Sequence, residues 1–247
     1  MIYVATRAGN GKTVSEDRVL VGRNVICNAS ADFPIPARGF VCVADGVGGN
    51  TGGAEASEFV VNALMSFAET NEELSKEAVT KHLWKINSEL LSFGQQQSGR
   101  YQLATTLTGV LFSETEKYLI HIGNTRAYVV QAHFLKQLTY DHTVSNWLKS
   151  MGRIDEAEQC NKNEITNCFG GGNETLFKRL DISSLQAFHT MLLTSDGVHD
   201  FVSVAELEQF MSSDIPGNCK CERIVESALS AGSQDDLSVV IINSQEG

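Results

Sequence analysis

The chain has 247 residues, 42% hydrophobic and 20% charged with only 3 prolines, an ordinary balance for a globular protein with a substantial core. Its formal net charge of -11 argues against a nucleic-acid or anionic-membrane surface, because phosphate backbones are met by clustered Lys and Arg. Met1-Ile2-Tyr3-Val4-Ala5 is too short for a signal peptide, Arg7 follows at once, and no apolar run approaches the roughly 20 residues that span a bilayer. Six scattered cysteines, of which only Cys219 and Cys221 are close, lack zinc-ligand spacing and read as reduced thiols. With no repeat or long linker, the expectation is a soluble, cytoplasmic protein folded as a single domain over residues 1–247. No obvious exposed apolar stripe is present, which favours a monomer.

In chain order, Glu16-Asp17 precede a first apolar run, Val19–Val21, followed by Asn24–Cys27 and Gly39–Ala44, all read as strands. Phe59, Val60, Ala63, Leu64 and Phe67 then recur at helical spacing, as do Val79, Leu83, Ile86 and Leu90, with Ser75 placed as an N-cap. Strands resume at Thr106–Phe112, Lys117–Ile122 and Ala127–Gln131. The connections Ser113-Glu114-Thr115-Glu116 and Gly123-Asn124-Thr125-Arg126 read as hairpins, which would make each flanking pair antiparallel neighbours. From Asp141 to about Cys168 the chain is polar and mixed, suited to short helices in a surface excursion, and a mobile flap is expected over about 143–168. A strand at Thr190–Thr194, a helix through Ile224, Val225, Ala228 and Leu229, and a last strand at Leu237–Ile242 complete the reading. Hairpins with adjacent amphipathic helices fit an α+β layered domain better than a doubly wound parallel sheet.

The acidic residues carry the most information. Asp45 follows one strand and Asp196 another, while Glu16-Asp17 and Asp235-Asp236 each precede one. Carboxylates gathered on one rim of a sheet repel, so such a cluster persists by taking up protons or binding a cation. Oxygen-only ligands favour hard ions such as magnesium or manganese. Bound cations would also let an acidic protein accept a phosphorylated substrate. Either Asp-Gly alone is more often a turn; the flanking sequences change those odds.

Those flanks are Ser15-Glu16-Asp17, Val43-Ala44-Asp45-Gly46-Val47-Gly48-Gly49 and Gly53-Ala54-Glu55-Ala56-Ser57. They continue with Ala104-Thr105-Thr106-Leu107, Ile122-Gly123-Asn124-Thr125-Arg126-Ala127-Tyr128 and Leu138-Thr139-Tyr140-Asp141-His142. The last are Leu193-Thr194-Ser195-Asp196-Gly197-Val198 and Gly232-Ser233-Gln234-Asp235-Asp236-Leu237-Ser238. In this order and spacing, from about Thr6 to Ile242, they resemble the metal-dependent serine/threonine phosphatases of the PPM, or type 2C, class, in a compact stand-alone, bacterial-like form.

The resemblance implies a sandwich of two antiparallel β-sheets flanked by α-helices, in α-β-β-α layers. It implies hydrolysis of phosphoserine and phosphothreonine in proteins by a water activated at a centre of two Mn2+ or Mg2+ ions. Asp45 would bridge the ions, Asp196 and Asp235 would complete one, and the Gly46 carbonyl with Glu16 would serve the other, Asp17 acting through water. The implied partner is a phosphorylated protein, with no nucleic acid and no membrane.

Three positions depart from the family's pattern. Lys12 stands where an Arg commonly holds phosphate, and a lysine loses the bidentate fork; Arg7 would substitute if its loop folds back. Val47 replaces a His used by some relatives as general acid, and His121, His142 and His199 match no such role. A third ion would fall to Asn124 and Asp200, but Asn offers one neutral carbonyl oxygen, so that site should be weak or empty. These departures support an alternative, a catalytically weak or inactive phosphatase-fold module that binds a partner protein. An enzyme acting on a small phosphorylated metabolite is a further reading.

Overall fold

The computed structural model describes residues 1–47, 52–70, 73–96, 102–114, 116–172 and 174–244. Fourteen strands are present among them: β1 (Ile2–Arg7), β2 (Arg18–Val21), β3 (Asn24–Ile26), β4 (Ser30–Phe33), β5 (Gly39–Ala44), β6 (Ala104–Thr105) and β7 (Leu107–Phe112), then β8 (Lys117–Ile122), β9 (Arg126–Gln131), β10 (Phe134–Gln137), β11 (Phe169–Gly170), β12 (Asp181–Ser184), β13 (Thr190–Thr194) and β14 (Leu237–Asn243). Two six-stranded antiparallel sheets result, ordered β10-β9-β13-β14-β1-β4 and β12-β8-β7-β5-β2-β3, with β11 and β6 as a separate pair.

Alternation of side chains along each strand builds three apolar layers. Val41 and Val43 of β5 meet Ile2 and Val4 of β1 and Val240 of β14 between the sheets. Phe40, Cys42 and Ala44, on the other face of β5, pack under the helices α1 (Gly53–Ala68) and α2 (Lys76–Gln96). Leu237, Val239 and Ile241 of β14 face outward to α6 (Val204–Ser212) and α7 (Gly217–Ser230). Strands buried on both faces read as near-continuous apolar runs, which is why β5 and β14 were legible. Full burial of side chains such as Leu83, Ile86 and Ile224 contributes about 2 kcal/mol each. The expected α-β-β-α sandwich is the observed fold. Ser75 also caps as expected, its hydroxyl accepting from the Ala78 amide at 3.3 Å.

One connection differs. Residues 123–126 do not close a hairpin, because β8 pairs with β7 and β12 in one sheet while β9 pairs with β13 and β10 in the other. The chain crosses between sheets here, turning at Gly123 with φ of 107°. Thr125 ties the crossing back to β7, its hydroxyl 2.6 Å from Thr108 Oγ1. The other predicted hairpin is real, with Phe112 opposite Lys117; its Thr115 lies outside the described residues. Also beyond the reading were β1, in the interior of its sheet, and the polar edge strands β4, β10 and β12.

Between β10 and β11 the chain carries α3 (Val144–Ser150) and α4 (Ile154–Gln159), which pack on each other. Buried polar groups fasten the root of this excursion. Arg126 donates to both oxygens of Asp141 at 2.6 to 3.0 Å. His142 Nδ1 accepts from the Gly123 amide, which leaves its Nε2 hydrogen for Asp181 at 3.0 Å. His121 bonds Thr108 Oγ1 at 2.7 Å and the Tyr140 carbonyl at 2.9 Å. These rings lie together with Asp181 in a grouping that metal ions sometimes occupy. Here every ring nitrogen is engaged by a protein group, so the cluster is a hydrogen-bonded strut.

Burial, aided by the neighbouring His142, pushes the His121 pKa down to about 4. In the unfolded chain it returns to its ordinary value, so between roughly pH 6.5 and 4 the unfolded state binds the extra proton. Its neutral form therefore supports the fold at neutral pH and costs about 2 kcal/mol on going from pH 7.5 to 5. In chemical denaturation, His121→Gln should reduce that pH-dependent loss while being less stable at pH 7.5. An unchanged pH slope would contradict this.

Candidate metal centre

Five strand ends share one rim of the sandwich. Arg18 at the start of β2 lies opposite Ala44 at the end of β5, and Leu237 at the start of β14 lies opposite Arg7 at the end of β1. Thr194, ending β13, lies opposite Val239. Glu16, Asp17, Asp45, Asp196, Asp235 and Asp236 flank these ends, and stacking the two sheets brings them together. Ser238 of one sheet donates to Asp17 Oδ2 of the other at 2.7 Å. Asp45 lies close enough to Asp17, Asp196 and Asp235 to feel the charge of each.

The electrostatics follow. Burial first, then the neighbouring Asp17, Asp196 and Asp235, holds the Asp45 carboxyl well above the usual carboxylate range. Asp17 and Asp196 are raised for the same two reasons, burial ahead of neighbouring carboxylates. Glu16 is raised too, mainly by burial. Asp17 Oδ1 is buried without a hydrogen-bond partner among the described residues. Such a cluster is poised for positive charge.

Backbone geometry adds two more oxygens. A Cβ on Gly53, the first residue of α1, would lie 2.5 Å from Glu16 Oε1 and 2.8 Å from the Gly46 carbonyl oxygen. A Cβ on Gly46 would lie 2.7 Å from Gly53 Cα. Two facing glycines thus let loop and helix approach until the Glu16 carboxylate and Gly46 carbonyl converge. Gly48 and Gly49 of the same motif lie outside the described residues. Oxygen donors of this number and kind fit hard divalent cations.

The structure gathers Glu16, Asp17, Asp45, Gly46, Asp196 and Asp235 on one rim. Lys12 joins them through Nζ, 2.7 Å from Asp235 Oδ1 and 3.1 Å from Asp236 Oδ2. Burial opposes its charge, but the hydrogen bonds and charge of Asp235 and Asp236 outweigh this and raise its pKa. Arg7 does not fold back; it bonds the Thr6 carbonyl and Ser30 Oγ. Asn124, 3% exposed, donates to Asp196 Oδ2 at 2.7 Å, and its own Oδ1 has no partner among the described residues. Asp200 accepts from Asn163 at 2.9 Å. His199 bonds Thr194 Oγ1 at 2.8 Å, and its pKa is held well down by the surrounding atoms and by Arg126.

Two residues were placed by the sequence without a role. Asp236, 2% exposed, accepts from the Gly9 and Glu16 amides at 2.8 and 2.7 Å and so fixes the loop that carries Glu16. Gly53 is the spacer between Glu16 and Gly46. The only signal for either was its position inside a motif.

Known proteins resemble this chain in sequence and fold. The family model described as protein phosphatase 2C matches residues 32–223. The protein phosphatase PhpP of Streptococcus pneumoniae is 30% identical over 216 residues, covering 85% of this chain and 87% of its own. The crystal structure of the serine/threonine phosphatase Stp1 from Staphylococcus aureus superposes with a TM-score of 0.82 at 24% identity, covering 99% of this chain and 94% of that one. The catalytic domain of the phosphatase PstP, solved in complex with 2 manganese ions, gives 0.75 at 25% identity, covering 98% and 99%. With a matched motif order, a shared sandwich and an acidic rim in the same chain, this protein belongs to the protein phosphatase 2C family.

Proposed function

We propose that this protein hydrolyses phosphoserine and phosphothreonine monoesters in other proteins, using two divalent cations, Mn2+ or Mg2+. The observation that carries the reading is the convergence of Asp45, Asp196, Asp235, Glu16 and the Gly46 carbonyl on one rim, with Asp17 Oδ1 left unpaired behind them. When bound, the cations would lower the pKa of a shared water and neutralise charge on the phosphoryl oxygens.

This chain's own residues do the rest. Asp45 would be shared by the cations, Asp196 and Asp235 would help hold one, and Glu16 with the Gly46 carbonyl would help hold the other. Asp17, pinned by Ser238, orients through its free oxygen. Asn124 aims the Asp196 carboxylate. Lys12, on the rim, is a point charge within reach of an incoming phosphate. No thiolate is required: burial pushes the Cys42 and Cys168 thiols up to about 12. The engaged histidines supply no general acid, so the leaving oxygen takes its proton from solvent at the rim.

The same proposal includes a single domain over 1–247, with 143–168 as a flap over the rim, a weak or empty third site at Asn124 and Asp200, and a monomer in the cytoplasm. Supporting it, no helix among the described residues is long and apolar enough to cross a membrane, and the six cysteines are free. The inactive-module reading is disfavoured, because a chain that had lost catalysis would not need so costly a set of like charges.

Direct Mn2+ titration should saturate at two ions per chain, and p-nitrophenyl phosphate and a phosphothreonine peptide should both be hydrolysed until a chelator is added. Hydrolysis of neither would overturn the activity; a third ion bound at micromolar Mn2+ would overturn the ion count.

A further inference from the structure

Beside the carboxylate rim a cavity of about 100 Å³ opens between the sheet ends and the 143–168 segment, and Asp196 belongs to both. The charges around it decide what it can hold. Arg126 is cancelled by its paired bonds to Asp141. His199 spends its Nδ1 on Thr194 Oγ1 at 2.8 Å. Asp196 is already committed to the rim and to the cations proposed there. What remains is Asp200, which takes a hydrogen bond from Asn163, and two lysines that line the same cavity.

Those lysines are Lys149, on α3 one turn beyond Ser145, and Lys162, in the loop after α4. Neither ammonium group makes an ion pair or hydrogen bond among the described residues, unlike that of Lys12, which is held by Asp235. Two free ammonium groups facing one catalytic cleft are out of character for a chain of net charge -11. As it stands the lining balances, Arg126, Lys149 and Lys162 against Asp141, Asp196 and Asp200; once cations at the rim offset Asp196, the cavity carries surplus positive charge and suits an anion. It opens where a phosphorylated residue seated at Asp196 would place its neighbours, and two extended residues span about 7 Å.

We propose that this cavity is a specificity subsite for the carboxylate of an acidic residue within two positions of the phosphorylated one, held by Lys149 and Lys162. The proposal rests on the phosphatase reading above and names its preferred substrate class. The lysines act on binding of the flanking residue and take no part in phosphoryl chemistry.

Two phosphopeptides differing only in Glu against Ala at these flanking positions test it, with kcat/KM measured in Mn2+. The wild type should prefer the acidic peptide by about five-fold, the size expected of two partly exposed ion pairs, and the ratio should fall towards one at 0.5 M salt. Lys149→Ala with Lys162→Ala should bring the ratio near one, and Lys149→Glu with Lys162→Glu should invert it. The neutral peptide is each enzyme's internal reference, so general attraction of anions to the rim does not imitate the effect. A wild-type ratio near one, or one that survives charge reversal, overturns the subsite alone; hydrolysis of neither peptide removes the phosphatase reading with it.

Discussion

Asp196→Ala should lower kcat/KM for p-nitrophenyl phosphate in Mn2+ by on the order of 10³ or more, since a lost ion-holding carboxylate removes several kcal/mol of charge stabilisation. Asp196 sits at the crossing point of the site, accepting from Asn124 Nδ2 at 2.7 Å and lying close to Asp45. Without it, Asp45 loses a close neighbour, and the cations proposed for the rim lose an oxygen. Stability should move the other way. The raised pKa values of Asp45, Asp17 and Asp196 mean that these carboxylates are costly when ionised together, so removing one relieves repulsion. With a chelator present, the variant should therefore melt at or above the wild-type temperature. Added Mn2+ should raise Tm in the wild type, as any ligand of the native state does, and much less in the variant. Unimpaired turnover, or an equal Mn2+-induced rise in Tm, would remove Asp196 from the centre.

The second large effect is expected from the smallest change. Gly53→Ala should weaken Mn2+ binding by about 10- to 100-fold, the range typical of changes that displace a ligand without deleting it. On helix propensity alone, alanine in place of glycine would be favourable by up to about 1 kcal/mol. Here the added methyl would lie 2.5 Å from Glu16 Oε1, 2.8 Å from the Gly46 carbonyl oxygen and 2.9 Å from Glu16 Cδ. One of these contacts is backbone and cannot rotate away. Glu16 is itself pinned, its amide held by Asp236 and its carbonyl by Ser57 Oγ at 2.6 Å. The crowding should cost about 1–3 kcal/mol of stability and push two oxygens of one ion apart. Activity should then recover at high Mn2+, which separates a ligand-geometry defect from misfolding. Wild-type Mn2+ affinity in this variant would mean that Glu16 and Gly46 do not hold an ion.

How much of this could be read beforehand differs by element. Strands β5, β13 and β14 are buried on both faces, and their apolar runs announce them. β1 is buried too, yet at the chain terminus its short run invited comparison only with a leader peptide. The edge strands β4, β10 and β12 are half exposed, and polar strands leave little periodic signal. The 123–126 crossing misled for another reason. A four-residue connection between two apolar runs normally closes a hairpin, and nothing local says that both strands already have partners elsewhere.

The sequence by itself determined the chemistry: which carboxylates flank strands, that they must attract cations or protons, and that Lys12, Val47 and Asn124 depart from the family's pattern. Those facts depend on residue type and short spacing, which one strand or loop expresses alone. Tertiary structure decided everything that needs two distant segments at once. It placed Asp236 under the Gly9 and Glu16 amides, Gly53 against the Glu16 carboxylate and Gly46 carbonyl, and Ser238 against Asp17 across the sheets. It also brought Lys149, Lys162 and Asp200 to the lining of one cavity. Each of those juxtapositions spans tens to hundreds of residues, and only the stacking of the two sheets on a shared apolar layer fixes which ends meet.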